Sequence, residues 1–243
     1  MPESPAAKAL LDTFGHLVIL NLPERTDRRR GIEAELSKAG LSLDHPAVTL
    51  FPALRPAEAA GFPSIGARGA FQSHLAVMEM MLREGWQRLL VLEDDMAFAP
   101  GALPRLPALA AALAGRDWSL FYGHPGDLPD RTPAPDAQGL IALPPDLGLI
   151  QLHFLGLTRE AVSVLLPELR AMPDRPEGSP DGGPMHVDGA LNFLRARHPD
   201  LPALAVAPAI AVQRASRSDI AAARWFDRLP GLRALSAALR RLR

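Results

Sequence analysis

Cysteine is absent from the 243 residues. Disulfides, thiolate zinc sites and iron–sulfur clusters are therefore excluded, and any metal must be held by oxygen or imidazole. Lysine occurs only as Lys8 and Lys38, and no GxxxxGK[ST] stretch exists, which rules out a lysine-dependent phosphate loop. Aromatic residues are scarce, at nine Phe, three Trp and one Tyr, and the formal charge is −1. A nucleic-acid binder would show a basic excess and stacking platforms, so that class is set aside. No uninterrupted apolar run approaches the ~18 residues that span a bilayer. Residues 1–11 lack the basic start and apolar core of an export signal. The expectation is a cytoplasmic protein with no membrane span.

What remains is a chain that is 48% apolar and long enough to bury a sizeable core unaided. Residues 16–22 (HLVILNL) read as a buried strand running into a Pro-Glu-Arg-Thr-Asp loop. Asp27 can cap the next helix, whose Ile32, Leu36 and Ala39 share a face before Gly40 stops it. Residues 48–51 suggest a second strand. A helix after Gly66 and Gly69 carries the stripe Phe71, Leu75, Met78 and Leu82 and ends at Gly85. Residues 89–92 (LLVL) are the clearest central strand and end in Glu93-Asp94-Asp95. An alanine-rich helix within 101–115 and a strand at 119–122 follow. This alternation predicts an α/β fold, a Rossmann-type, mostly parallel sheet flanked by helices, with ligands beyond the strands' C-terminal ends, where Asn21 and Glu93 fall.

The second half is less regular. Residues 124–138 and 173–184 read as loops, 149–157 as a strand, and Thr158 as the cap of a helix bearing Ala161, Leu165 and Leu169. Residues 187–197 suggest a helix and 204–212 short strands around Pro208. One domain over residues 1–220 is expected, followed by a basic amphipathic helix at 221–243.

Three adjacent carboxylates closing an apolar strand demand a positive partner, because two like charges about 4 Å apart repel by about 4 kcal/mol at an effective dielectric of 20. A divalent cation supplies one, and oxygen ligands favour Mn²⁺ or Mg²⁺ over zinc. If strand geometry persists, Glu93 and Asp95 share one face and Asp94 takes the other. A plain acidic turn is the competing reading. Arg25, Arg28, Arg29 and Arg30 lie just past a strand end, where guanidiniums suit phosphate or simply form a solvated helix face. Ser73 and His74 are helix neighbours that diverge by about 100°, so they are no catalytic pair. Asp188 is either a helix cap or a general base.

The ordered set of Asn21-Leu22-Pro23-Glu24-Arg25-Thr26-Asp27-Arg28-Arg29, Gly69 to His74, and Leu92-Glu93-Asp94-Asp95, with residues 75–92 between His74 and Glu93, resembles glycosyltransferase family 25. That is the lipooligosaccharide and procollagen galactosyltransferase group. Further matches run through residues 154–161, Pro184 to Asp188, Pro208, Gln213 and Ser218-Asp219-Ile220. Where the family commonly reads Gly-Glu-Ile-Gly-Cys, this chain has Gly66-Ala67-Arg68-Gly69-Ala70. The resemblance implies a GT-A-type fold, a UDP-hexose donor (galactose or glucose), a Mn²⁺ or Mg²⁺ cofactor, and inverting transfer to a lipopolysaccharide or other glycan hydroxyl. It implies Asp95 and Glu93 as metal ligands. Asn21, Arg25, Ser73, His74, Glu93 and Asp94 would lie on the donor, and Asp188 would be the base. A catalytically degenerate nucleotide-sugar or glycan-binding domain stays open as the alternative. A metal-dependent phosphohydrolase fits less well, since it would want an aspartate where Asn21 closes the first strand.

Residues 224–243, opening on Arg224 and closing on Arg243, carry six arginines and one acid, interleaved with Trp225, Phe226, Leu229, Leu232, Leu235 and Leu239. Such a helix either lies on an anionic membrane surface or docks on the domain. The first reading expects peripheral contact with the inner membrane face and a lipid-linked glycan acceptor.

Overall fold

The computed structural model describes residues 3–126 and 128–214, and the expected C-terminal helix at 221–243 lies outside them, as do Ser218, Asp219 and Ile220. The chain opens on helix α1 (Pro5–Phe14), which the strand-and-helix alternation does not give. Its local signals are Ser4, whose side chain accepts from the Ala7 N–H, Pro5 in the first turn, and Gly15 closing the helix with a φ of 73°. Then come β1 (His16–Asn21), α2 (Thr26–Ala39), β2 (Val48–Pro52), α3 (Ile65–Glu84) and β3 (Arg88–Glu93). A short β4 (Met96–Phe98), α4 (Leu106–Ala114), β5 (Leu120–Tyr122) and β6 (Leu140–Leu143) follow. The chain continues through β7 (Phe154–Thr158), α5 (Arg159–Ala171), α6 (Val187–Arg197), β8 (Ala203–Val206) and β9 (Ala211–Gln213).

Seven strands form one sheet in the order β2-β1-β3-β7-β5-β8-β6, with β7 and β6 running against the rest. The mostly parallel α/β fold expected from the sequence is the fold observed. Alternation along β3 explains its two cores. Leu89 and Val91 pack with α3, α5 and α6 on one face, while Leu90 and Leu92 pack with α1, α2 and α4 on the other. All four are buried, each contributing about 1.5–3 kcal/mol. Because β7 and β6 are reversed, their N-terminal ends meet the C-terminal ends of β1, β3, β5 and β8 along one edge.

Thr158 caps α5 as expected, its Oγ1 accepting from the Ala161 N–H at 3.3 Å. The strand expected at 149–157 starts only at Phe154. Its first part is taken off the sheet by α6. Asn192 Nδ2 donates to the Leu149 carbonyl at 2.6 Å, and its Oδ1 accepts from the Leu149 N–H at 3.0 Å. Arg195, buried, donates to the carbonyls of Leu147 and Pro144 at 3.0 and 2.9 Å. Side chains thus satisfy the main chain at Leu149 and in the turn just before it, where the expected strand ladder would begin. A separate two-stranded ribbon, β4 with β9, pairs Met96 with Gln213 and carries the chain back beside the β3 carboxylates.

Candidate active site

Strand β3 ends at Glu93, and Asp94 and Asp95 form a turn into β4. The turn breaks the strand alternation that would set Asp94 apart from Glu93 and Asp95, and all three line one cleft. Asp94 and Asp95 instead converge on Arg28 of α2, whose Nη1 lies 2.9 Å from Asp94 Oδ1 and 3.3 Å from Asp95 Oδ2. Asn21 Nδ2 donates to Asp94 Oδ2 at 2.7 Å and to the Arg25 carbonyl at 3.3 Å. Gln213 Nε2 donates to Asp95 Oδ2 at 3.1 Å, the Arg214 N–H donates to the Asp95 carbonyl at 2.7 Å, and the Arg214 guanidinium donates to the Asp94 carbonyl. Gly31 leaves the space that Arg214 fills, since a Cβ there would sit 1.8 Å from Nη1. Both aspartates are buried. Asp95 Oδ1 is enclosed with no hydrogen-bond partner among the described residues.

Glu93 takes the α3 and α6 side. Burial pushes its carboxyl up to about 8, Asp95 and Asp94 add to this, and Arg28 opposes it. Burial likewise raises Asp95, against the pull of Arg28 and Gln213. His74 is buried, and burial lowers its pKa, so the ring is neutral. Its Nδ1 donates to the Ala70 carbonyl at 2.9 Å, leaving Nε2 as an enclosed acceptor without a partner among the described residues. Asp188 projects its charge on both Glu93 and His74. Its Oδ1 accepts from the Gly189 N–H at 2.8 Å, and its Oδ2 from the Gln151 N–H at 3.4 Å.

A cleft of about 510 Å³ opens over these groups. Ser73, His74, Glu93, Asp94 and Asp95 line it, whereas Asn21, Arg25 and Asp188 do not. Asn21 instead braces Asp94 from behind, and Arg25 grips Asp27 with two 3.0 Å bonds at the start of α2. Two lining or bracing residues escape the sequence reading, Arg55 and Arg214; Arg28 stands out there only within an arginine run, and Gln213 only as a match to the family. Arg28 and Arg55, the latter paired with Glu24 at 2.9 Å, line the wall, and Leu22, Leu54 and Ile65 contribute to its apolar part. Ser73 shapes that wall, its Oγ donating to the Gly69 carbonyl at 2.7 Å and accepting from the Leu54 N–H at 2.8 Å. Gly69 has no room for a side chain, because a Cβ would lie 2.4 Å from the Leu54 carbonyl oxygen. Gly69→Ala should push that loop off α3, costing about 1–3 kcal/mol in denaturant unfolding. An unchanged midpoint would refute this packing.

No family model matches the chain. Over 132 residues it is 32% identical to a glycosyltransferase 25 family member of Anopheles gambiae. The likeness is to glycosyltransferase family 25. It covers 45% of this chain and 22% of that protein, so the match spans about a fifth of the relative's length. Among solved structures, the chain is similar to a glycosyltransferase involved in the glycosylation of the major capsid of PBCV-1. That match has a TM-score of 0.48 and 12% identity, over 94% of this chain and 100% of that one. A weaker likeness, TM-score 0.37 and 12% identity, is to mannose-1-phosphate geranyltransferase from Thermus thermophilus, over 86% of this chain and 65% of that one.

Beside Glu93, just before β7, His153 meets His124 with ring centroids 4.5 Å apart and the rings tilted by 37°. His153 is buried, and neither ring nitrogen has a partner among the described residues. Burial, helped by His124, lowers its pKa to about 3. Unfolded, the ring takes a proton near 6.5, so between 6.5 and 3 the unfolded state binds more protons. Stability attributable to this site is complete above 6.5 and is lost as pH falls toward 3. Melting of His153→Leu should therefore fall less steeply than wild type between pH 6.5 and 4, and parallel curves would contradict the assignment.

Proposed function

We propose that the chain is a metal-dependent inverting glycosyltransferase. It moves a hexose, galactose or glucose, from a UDP-sugar to a hydroxyl of a lipopolysaccharide, lipooligosaccharide or other glycan. The observation that carries this reading is one cleft lined by Asp95, whose buried Oδ1 has no partner among the described residues, and by two arginines, Arg28 and Arg55. The first is chemistry for a cation and the second for phosphate. The apolar wall of Leu22, Leu54 and Ile65 suits the face of a nucleobase. The likeness to family 25 supports the same assignment.

Among the described residues no three His, Asp or Glu side chains are gathered to hold an ion by themselves, so the carboxylate oxygens, suited to a hard cation, would share it with the diphosphate. Asp95 would hold Mn²⁺ or Mg²⁺, with Glu93 joining it as a second oxygen ligand once ionised. When bound, the ion would neutralise charge developing on the departing diphosphate. The chain's own residues do the rest. Asp94, fixed by Asn21 and Arg28, offers oxygens to the nucleotide's or sugar's hydroxyls, and His74 Nε2 is placed to accept from a donor hydroxyl. Asp188 takes the proton of the acceptor hydroxyl as its oxygen attacks the anomeric carbon, while the electron pair of the breaking bond leaves with UDP. Among the described residues no helix is long and apolar enough to cross a membrane. Peripheral contact through residues 224–243 is part of the proposal, and vesicle flotation of the chain with and without them tests it.

The test of function is a scan of UDP-, GDP- and CMP-sugars with Mn²⁺ or EDTA, with and without oligosaccharide acceptors, reading nucleotide release. Mn²⁺-dependent release of UDP from a UDP-hexose is expected. Nucleotide-sugar binding without turnover of any donor would favour the non-catalytic binding domain instead.

A further inference from the structure

We infer that Arg28 is a latch on the carboxylate pair, so that the site takes up its divalent cation only together with a nucleotide diphosphate. The inference rests on the donor-binding reading above and specifies how that site is regulated. Asp94 and Asp95 are 5% and 4% exposed, and two adjacent carboxylates at that depth need compensation. Arg28 provides it, bridging Asp94 Oδ1 at 2.9 Å and Asp95 Oδ2 at 3.3 Å from the first turn of α2.

The pair's oxygens divide unequally. Asp94 Oδ1 is held by Arg28, Asp94 Oδ2 by Asn21, and Asp95 Oδ2 by Arg28 and Gln213. Asp95 Oδ1 alone is enclosed without a partner among the described residues. A cation arriving by itself therefore finds one available oxygen on this pair and a guanidinium already offsetting part of its charge. Arg214 adds a second positive charge beside the pair, donating to the Asp94 carbonyl.

A pyrophosphate in the cleft changes both terms. Arg28 lines the cleft, and a guanidinium forks onto phosphate oxygens at least as well as onto carboxylate. Moving to the diphosphate, it uncovers Asp95 Oδ2 and Asp94 Oδ1 while the diphosphate contributes further oxygen ligands. Each ligand then raises the affinity of the other by the same factor. Free cation would not accumulate in the site, and the carboxylates would never face each other uncompensated.

The experiment titrates Mn²⁺ alone, followed by electron paramagnetic resonance, into wild type, Arg28→Gln and Arg28→Lys, with and without UDP. UDP binding is read in parallel by calorimetry. Wild type should bind Mn²⁺ alone weakly and at least tenfold more tightly with UDP. Arg28→Gln should bind Mn²⁺ alone at least tenfold more tightly than wild type and gain little from UDP. Arg28→Lys, which keeps the charge but not the fork and serves if the glutamine variant fails to fold, should fall between. UDP binding by wild type, with equal uptake of Mn²⁺ alone by all three proteins, would overturn the latch and leave the donor reading standing. Absence of UDP binding in every protein would remove both.

Discussion

Asp95→Asn is expected to lower Mn²⁺-dependent transfer from a UDP-hexose by about a hundredfold to a thousandfold, the range that follows removal of one preorganised group facing developing charge. The substitution keeps the size of the side chain and an oxygen for the Gln213 amide, so the fold should survive it. What it removes is the negative charge that Oδ1 brings to the cleft, the only carboxylate oxygen of the pair left without a partner among the described residues. UDP binding measured without metal should change little, because Arg28 and Arg55 remain in the wall. Stability should not fall with activity, since the variant relieves repulsion between adjacent buried carboxylates. A melting temperature that drops in step with the rate would mean that Asp95 is a structural residue.

Asp188→Asn is the second large effect. Loss of a general base costs about 10² to 10⁴ in rate, and here it should fall on kcat. Asp188 does not line the cleft, so the KM for the donor should stay within about twofold. The contacts of Asp188 are main-chain N–H groups, of Gly189 at 2.8 Å and Gln151 at 3.4 Å, one on each oxygen, so the single oxygen of Asn can keep the shorter and loses the longer. Its charge reaches Glu93 and His74, placing it on the α3 and α6 side of the reacting centre. Steady-state kinetics with a saturating donor checks this: a donor KM that rises by the same factor as kcat falls would move Asp188 from proton transfer to substrate binding.

The parts of the fold set by local pattern were legible in the sequence. Apolar runs bounded by Gly and Asp mark β1, α2, α3 and β3, because a strand buried on both faces and a striped helix each leave a one-dimensional signature. Thr158 marks its helix start for the same reason. What escaped depended on tertiary partners. Residues 149–152 look like a strand, but Leu149 is held by Asn192 and the chain just before it, at Pro144 and Leu147, by Arg195, whose reach across sequence no periodicity shows. The direction of β7, and hence the meeting of His153 with Glu93 through a 3.3 Å backbone bond, is equally invisible. At the site, the acidic triplet points to the place, but sequence alone offers a metal as its neutralising partner. The structure supplies Arg28, sixty-six positions away in the chain. Arg25, the nearer choice by strand-end position, turns back on Asp27, two residues on. Arg214 needed Gly31 to make its space, a coincidence of two distant residues that only the folded chain displays.

The most direct test of the central claim is a crystal structure of the chain with UDP and Mn²⁺. The account predicts the uracil against Leu22, Leu54 and Ile65, the pyrophosphate beside Arg28, and the cation between the diphosphate and Asp95. A nucleotide bound elsewhere, with Arg28 still bridging Asp94 and Asp95 at saturating UDP and Mn²⁺, would contradict it.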